Sequence, residues 1–169
     1  MKKIHHVVVM TILYLLNLNA GTNAMQISAF SLKEMLLVIP PIFILLGILD
    51  TWVPKEVMMK YMGEKSGWKG IVLAFLIGSA AAGPLYGAFP VAAVLMKKGV
   101  KFSNILIFIG AWSTTKIPML LFEMSALGTT FAITRLLIDI PGILIIAYLL
   151  EAMISNEYRT ELYKKAEYL

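Results

Sequence analysis

From Gly70 to Met96 the chain runs through 27 residues without a charge. As one helix that run would extend about 40 Å, more than the roughly 30 Å of a bilayer's hydrocarbon. Comparable apolar runs extend from Lys33 to Pro54, Phe102 to Phe122 and Ile133 to Leu150. Buried in lipid, such runs must satisfy their backbone without water, which leaves helices and closed barrels. They lack the alternation of a barrel strand, so the expected fold is all-α: a polytopic helical membrane protein with four or five membrane segments. Composition points the same way, since 59% hydrophobic residues, 15% charged residues and a mean hydropathy of +0.81 are too apolar for an ordinary soluble domain.

Residues 1–24 open with Lys2 and Lys3, carry a short apolar stretch from Val7 to Leu16, and then turn polar at Asn17 and Asn19. They read either as a signal peptide or as a first membrane helix. Residues 25–151 form the membrane domain. Residues 152–169 are a charged tail with helical spacing, expected in the cytoplasm or at the interface.

The basic residues test the topology. If every run crosses once, Lys2, Lys3, Lys55, Lys60, Lys65 and Lys69 fall on one side, six in all. Lys33, Lys97, Lys98, Lys101, Arg159, Lys164 and Lys165 fall on the other, seven in all. That division has no bias. If the segment of about 70–96 instead enters, turns at Gly83–Pro84 and leaves on the same side, twelve basic residues share one side and Lys33 stands alone on the other. The positive-inside rule favours the re-entrant arrangement, with the linker, the "KKGVK" loop and the tail in the cytoplasm. A balanced chain that inserts both ways and pairs antiparallel is the alternative.

Within that segment, "GSAAAGPLYGAFP" places Gly78, Gly83 and Gly87 beside Pro84 and Pro90, with hydroxyls on Ser79 and Tyr86. Such a break frees backbone groups, which transporters use to hold solutes near the midplane. The plainer reading is close helix packing through small residues, Gly78 with Ala82 and Gly83 with Gly87. A second dense stretch holds Trp112, Ser113, Thr114, Thr115 and Lys116, followed by Pro118. Pro118 frees the Thr114 carbonyl, and nearby hydroxyls could compensate it. Lys116 either snorkels to the interface or faces a polar path or anionic ligand. Arg135 and Asp139 share a helix face at i, i+4 and read as an ion pair; Asp139 and Asp50 are alternatively candidate groups for ion or proton coupling. Glu123 reads as an interfacial charge.

Several chemistries lack their residues. There is no Cys, and the only histidines are His5 and His6. Thiolate metal sites, HExxH metalloproteases and rhomboid-like serine proteases are therefore excluded, and no P-loop is present. No catalytic residue, metal site or cofactor is expected. The net charge of +5 sets topology rather than marking a nucleic-acid partner.

The stretches "PPIFILLGILDTWVPKE", "GSAAAGPLYGAFPVAAVLMKKG" and "GAWSTTKIPMLLFE" together resemble predicted permeases of the ArsP type, a bacterial and archaeal family that includes organoarsenical exporters. The resemblance runs from Ser31 to Glu151 and implies a membrane permease. Larger members resemble two related halves, and this chain is similar to one, which implies a homodimer or pairing with a related half-permease in the cell membrane. The expected function is gradient-driven movement, as export, of a small solute such as an arsenical or an anion. Without Cys, thiol-based handling of trivalent arsenic is unavailable. The substrate path is expected where Gly78, Ser79, Gly83, Pro84, Tyr86, Gly87 and Pro90 face Trp112, Ser113, Thr114, Thr115, Lys116 and Pro118. The competing readings are a non-transporting scaffold subunit and a passive channel.

Overall fold

The computed structural model describes residues 19–81 and 83–168. The basic start, the stretch from Val7 to Leu16 and Ala82 lie outside the described residues. Every regular element among the described residues is helical. In chain order they are α1 (Asn19–Trp52), α2 (Lys55–Met62), α3 (Gly67–Ala80), a 3-10 turn (Leu85–Gly87), α4 (Ala88–Lys97), α5 (Phe102–Thr114), α6 (Ile117–Ala126), α7 (Thr129–Met153) and α8 (Asn156–Glu167).

The chain divides into two compact units, residues 1–42 and 43–169. In the first, α1 leaves Ile27, Phe30, Leu36 and Leu37 exposed. It does not stop at Ala24, where the sequence suggested a boundary, nor at Pro40 and Pro41. A proline removes one backbone bond, and an apolar helix can absorb that loss without ending.

The second unit holds everything that follows. Its core joins α3, α4 and α5 through Ala74, Ala88, Val91, Leu95, Ile107, Phe108 and Trp112. The order of contacts gives the directions of these helices. Near the start of α5, Asn104 Nδ2 donates to Met62 O at 2.8 Å and to Ser66 Oγ at 3.2 Å, just before α3. Near its end, the α5 backbone at Phe108–Trp112 lies against Gly78 at the end of α3. So α3 and α5 run parallel. After α4 the chain is back at the same end: Lys98 Nζ donates to Val53 O at 3.0 Å and Lys101 N to Met62 O at 2.9 Å. Thus α3 and α4 are the two arms of a hairpin whose open end meets the lysine-bearing linker.

The 14 residues of α3 rise about 21 Å, and the 13 residues of α5 about 20 Å. The hairpin is therefore half as long as α7, whose 25 residues rise about 37 Å. Phe102–Phe122, expected as one run, is interrupted: Thr115 and Lys116 leave helical geometry, with ψ of 25° and 132°. Pro118 explains the interruption, because in a continuous helix it would supply no N–H to Thr114 O and its ring would clash with that carbonyl. Phe102–Ala126, taken across this break, and Thr129–Met153 are long and apolar enough to cross a membrane.

The helix α7 runs back along α5 and α6. Arg135 meets Glu123, Ile143 packs on Gly110, and Glu151 reaches the start of α5. There the Glu151 carboxylate accepts from Ser103 N at 3.3 Å and pairs with Lys101 at 3.6 Å and Arg159 at 3.7 Å. The tail forms α8, capped by Ser155, whose hydroxyl accepts from Tyr158 N. The Tyr163 hydroxyl donates to Val100 O at 2.5 Å, tying α8 to the loop after α4.

Candidate functional site

Two interrupted elements meet about halfway along the second unit. One is the hairpin tip, residues 83–87; the other is the break between α5 and α6 at Thr115–Lys116. Gly83 makes the tip possible, since its φ of +99° lies where a Cβ clashes with the following carbonyl. Pro84 then fixes an extended residue before the 3-10 turn, and Gly87 N closes that turn onto Pro84 O at 3.0 Å.

Three hydrogen bonds fasten tip to break. The Ser79 and Thr115 hydroxyls hydrogen-bond to each other at 2.7 Å. The Trp112 indole Nε1–H donates to Gly83 O at 3.3 Å. Lys116 Nζ donates to that same carbonyl. Trp112 can hold its donor there because the ring is buried, edge-on to Phe108 with centroids 5.5 Å apart. A carbonyl freed by an irregular turn thus receives two donors, one of them cationic.

The other side of the break is held by Arg135. Its Nη2 donates to Thr114 O at 2.9 Å, the carbonyl that Pro118 leaves without an amide partner. Its Nε and Nη1 bind Glu123 Oε2 at 2.7 Å and Asp139 Oδ2 at 2.8 Å. The compensation expected from neighbouring hydroxyls is therefore supplied by a guanidinium instead. Those hydroxyls turn inward: Thr114 Oγ1 donates to Gly110 O and Thr115 Oγ1 to Ala111 O. Arginine suits the position because its planar fork can serve three acceptors at once.

Glu123 corrects the reading made from sequence. It is not an open surface charge but a carboxylate of α6 that is buried, 6% exposed, against Arg135 of α7. No short-range spacing joins positions 123 and 135. The only signal was the mere presence of an acid facing a basic residue across a short interhelical turn, at Leu127–Gly128.

The remaining candidates separate clearly. Gly78 faces helix rather than open space: a Cβ there would lie 2.5 Å from Phe108 O and 2.8 Å from Ala111 Cβ. Close packing accounts for it. Gly87 is buried beneath the tip, whereas Tyr86, Pro90, Ser113 and Pro118 are exposed and take no part in the three bonds. The side chain of Asp50 lies outside the described residues. No grouping of three or more His, Asp or Glu among the described residues could hold a metal.

In chemical terms, the arrangement offers a backbone carbonyl, two hydroxyls and an ammonium, flanked by a three-membered charge cluster. It presents hydrogen-bonding and charge-pairing groups, which suit the holding of a solute. The family model ArsP_1, described as a predicted permease, matches residues 21–168. No curated protein and no solved structure matches the chain.

Proposed function

The chain belongs to the ArsP-type family of predicted permeases, and from that premise we propose that it is a half-size transporter subunit whose solute path passes between the hairpin tip and the α5–α6 break. Membership in a family of predicted permeases supports a membrane transporter. The finer reading concerns where and how. What supports it above all is the meeting of two interrupted elements halfway along the bundle, since irregular backbone at membrane depth is tolerated only where it is buried in protein or lines a cavity. Discontinuous helices at the midplane are also how secondary transporters bind their solutes.

On this reading the hairpin is re-entrant, entering and leaving on the cytoplasmic side of the cell membrane. The linker, the Lys97–Lys101 loop and α8 lie there together. The tip is latched in the described state, and a solute gains access by parting Gly83 from Lys116 and Trp112. No nucleotide-binding loop is present, so an ion or proton gradient drives the movement, which we assign as export. Two copies, or one copy with a related half, complete the path: Leu137, Ile138, Ile145 and Ile146 of α7 are exposed and need lipid or a partner against them.

The scaffold reading draws on Gly78, whose close approach needs no transport to explain it. It gives no role to Lys116 or to the Arg135 cluster, which are expensive groups to keep in a segment that only packs. The test is solute flux in vesicles of the purified chain across a panel of arsenicals, metals and anions at set pH gradients. Gly83→Leu should abolish flux while insertion and expression stay normal. Unchanged flux in that variant removes the path from the tip.

A further inference from the structure

The two cations beside the break are not in equivalent states. Arg135 is fully engaged, with Nε on Glu123, Nη1 on Asp139 and Nη2 on Thr114 O. Lys116 holds an uncharged partner, the Gly83 carbonyl, and no carboxylate among the described residues lies within ion-pair reach of it. An ammonium at membrane depth is costly without a counter-charge. A carbonyl dipole compensates it only in part.

That asymmetry selects among solutes. An anion arriving at the tip can trade the ammonium–carbonyl bond for an ammonium–anion bond, which is shorter and stronger. A cation would have to compete with Lys116 for Gly83 O against a fixed positive charge, and a neutral solute gains no charge pairing at all. The bond that the anion displaces also fastens the tip to the break. Binding and unlatching are then one event, which gives the solute the different affinities for latched and unlatched states that any ligand-driven change requires.

We propose that the transported solute is a small anion and that Lys116 is the residue that binds it, exchanging the Gly83 carbonyl for the negative charge of the solute. This inference rests on the permease reading above. Trp112, which donates to the same carbonyl, is the built-in reporter. The full chain carrying Trp52→Phe and Trp68→Phe retains Trp112 alone and is titrated in detergent with phosphate, sulfate, acetate and chloride, and separately with tetraethylammonium and glycerol.

The expected result is a saturable change in Trp112 emission with at least one anion. It should weaken at least tenfold in affinity in Lys116→Gln and stay within about threefold of wild type in Lys116→Arg, which keeps the charge. Should Lys116→Gln fail to fold, Lys116→Arg and the contrast between anions and tetraethylammonium still decide the matter. No saturable response to any anion overturns the proposal, as does a response undiminished in folded Lys116→Gln or one confined to tetraethylammonium or glycerol. Because the titration needs no flux, it fails independently of the transport reading: a chain that moves neutral or cationic solutes while Trp112 ignores anions is a permease of another solute class.

Discussion

Replacing Arg135 by leucine is the sharpest perturbation of the break. The substitution removes three donors and leaves two carboxylates and one carbonyl to find other partners. Glu123 suffers most, because its side chain is 8% exposed and Arg135 is its ion-pair partner. Stripping one member from a buried pair typically costs about 3–5 kcal/mol, and an orphaned buried carbonyl about 1–3 kcal/mol. Asp139, at 23% side-chain exposure, can recover part of its hydration and adds less. The expected loss for Arg135→Leu is therefore about 3–5 kcal/mol, read by reversible SDS-driven unfolding from mixed micelles. A double-mutant cycle sharpens the test. Glu123→Leu alone leaves Arg135 with Asp139 and Thr114 O, and the double variant removes the stranded charge. It should be more stable than Arg135→Leu, because apolar replacement of both partners is often close to neutral. If Arg135→Leu unfolds like wild type, or if the two substitutions simply add, Arg135 does not hold the break together as described.

Other consequences can be checked alongside. Gly78→Val places a side chain 2.5 Å from Phe108 O, so it should separate α3 from α5 and destabilise the chain by about 1–3 kcal/mol or more, measured in the same unfolding assay. Gly83→Ala forces a Cβ onto a φ of +99° and should cost about 1–2 kcal/mol while weakening the latch, seen as a shift in Trp112 emission. Tyr163→Phe loses the bond to Val100 O and should cost about 1 kcal/mol, with faster proteolysis of α8 as a second readout. Burial, reinforced by the nearby charge of Glu64, raises the Tyr163 phenol above its ordinary range. With the folded value above the unfolded one, its contribution is intact below about pH 10 and declines as pH rises beyond that. A tyrosinate titration followed by ultraviolet absorbance should show one fewer late-ionising tyrosine in Tyr163→Phe than in wild type.

Much of this arrangement was legible in the sequence because the governing physics was local or global. The apolar runs marked helices in lipid, and three glycines and two prolines within one uncharged segment marked a break. The distribution of lysines indicated a hairpin through a rule that ignores packing altogether. What the sequence hid was pairing between helices. Pro118 announced a freed carbonyl at Thr114, but its partner, Arg135, lies 21 residues on and is brought there only by the turn between α6 and α7. Glu123 was misjudged for the same reason: its depth depends on what α7 lays over it. Gly78 seemed one of a functional set, and only the approach of α5 shows that packing occupies it. The interruption of Phe102–Phe122 could have been anticipated from Pro118, yet apolar composition on both sides made one continuous helix the simpler expectation.

The central claim is that a half-length hairpin enters and leaves on one side, bringing its tip to the broken helix. Because the chain has no cysteine, single introduced thiols report their side without background. Lys69→Cys and Lys97→Cys flank the hairpin, and Ser125→Cys sits at the exposed end of α6. With a membrane-impermeant maleimide applied to intact cells and to inverted vesicles, Lys69→Cys and Lys97→Cys should label from the cytoplasmic side and Ser125→Cys from the opposite one. Labelling of Lys69→Cys and Lys97→Cys from opposite sides would contradict the account, because the segment between them would then cross the membrane.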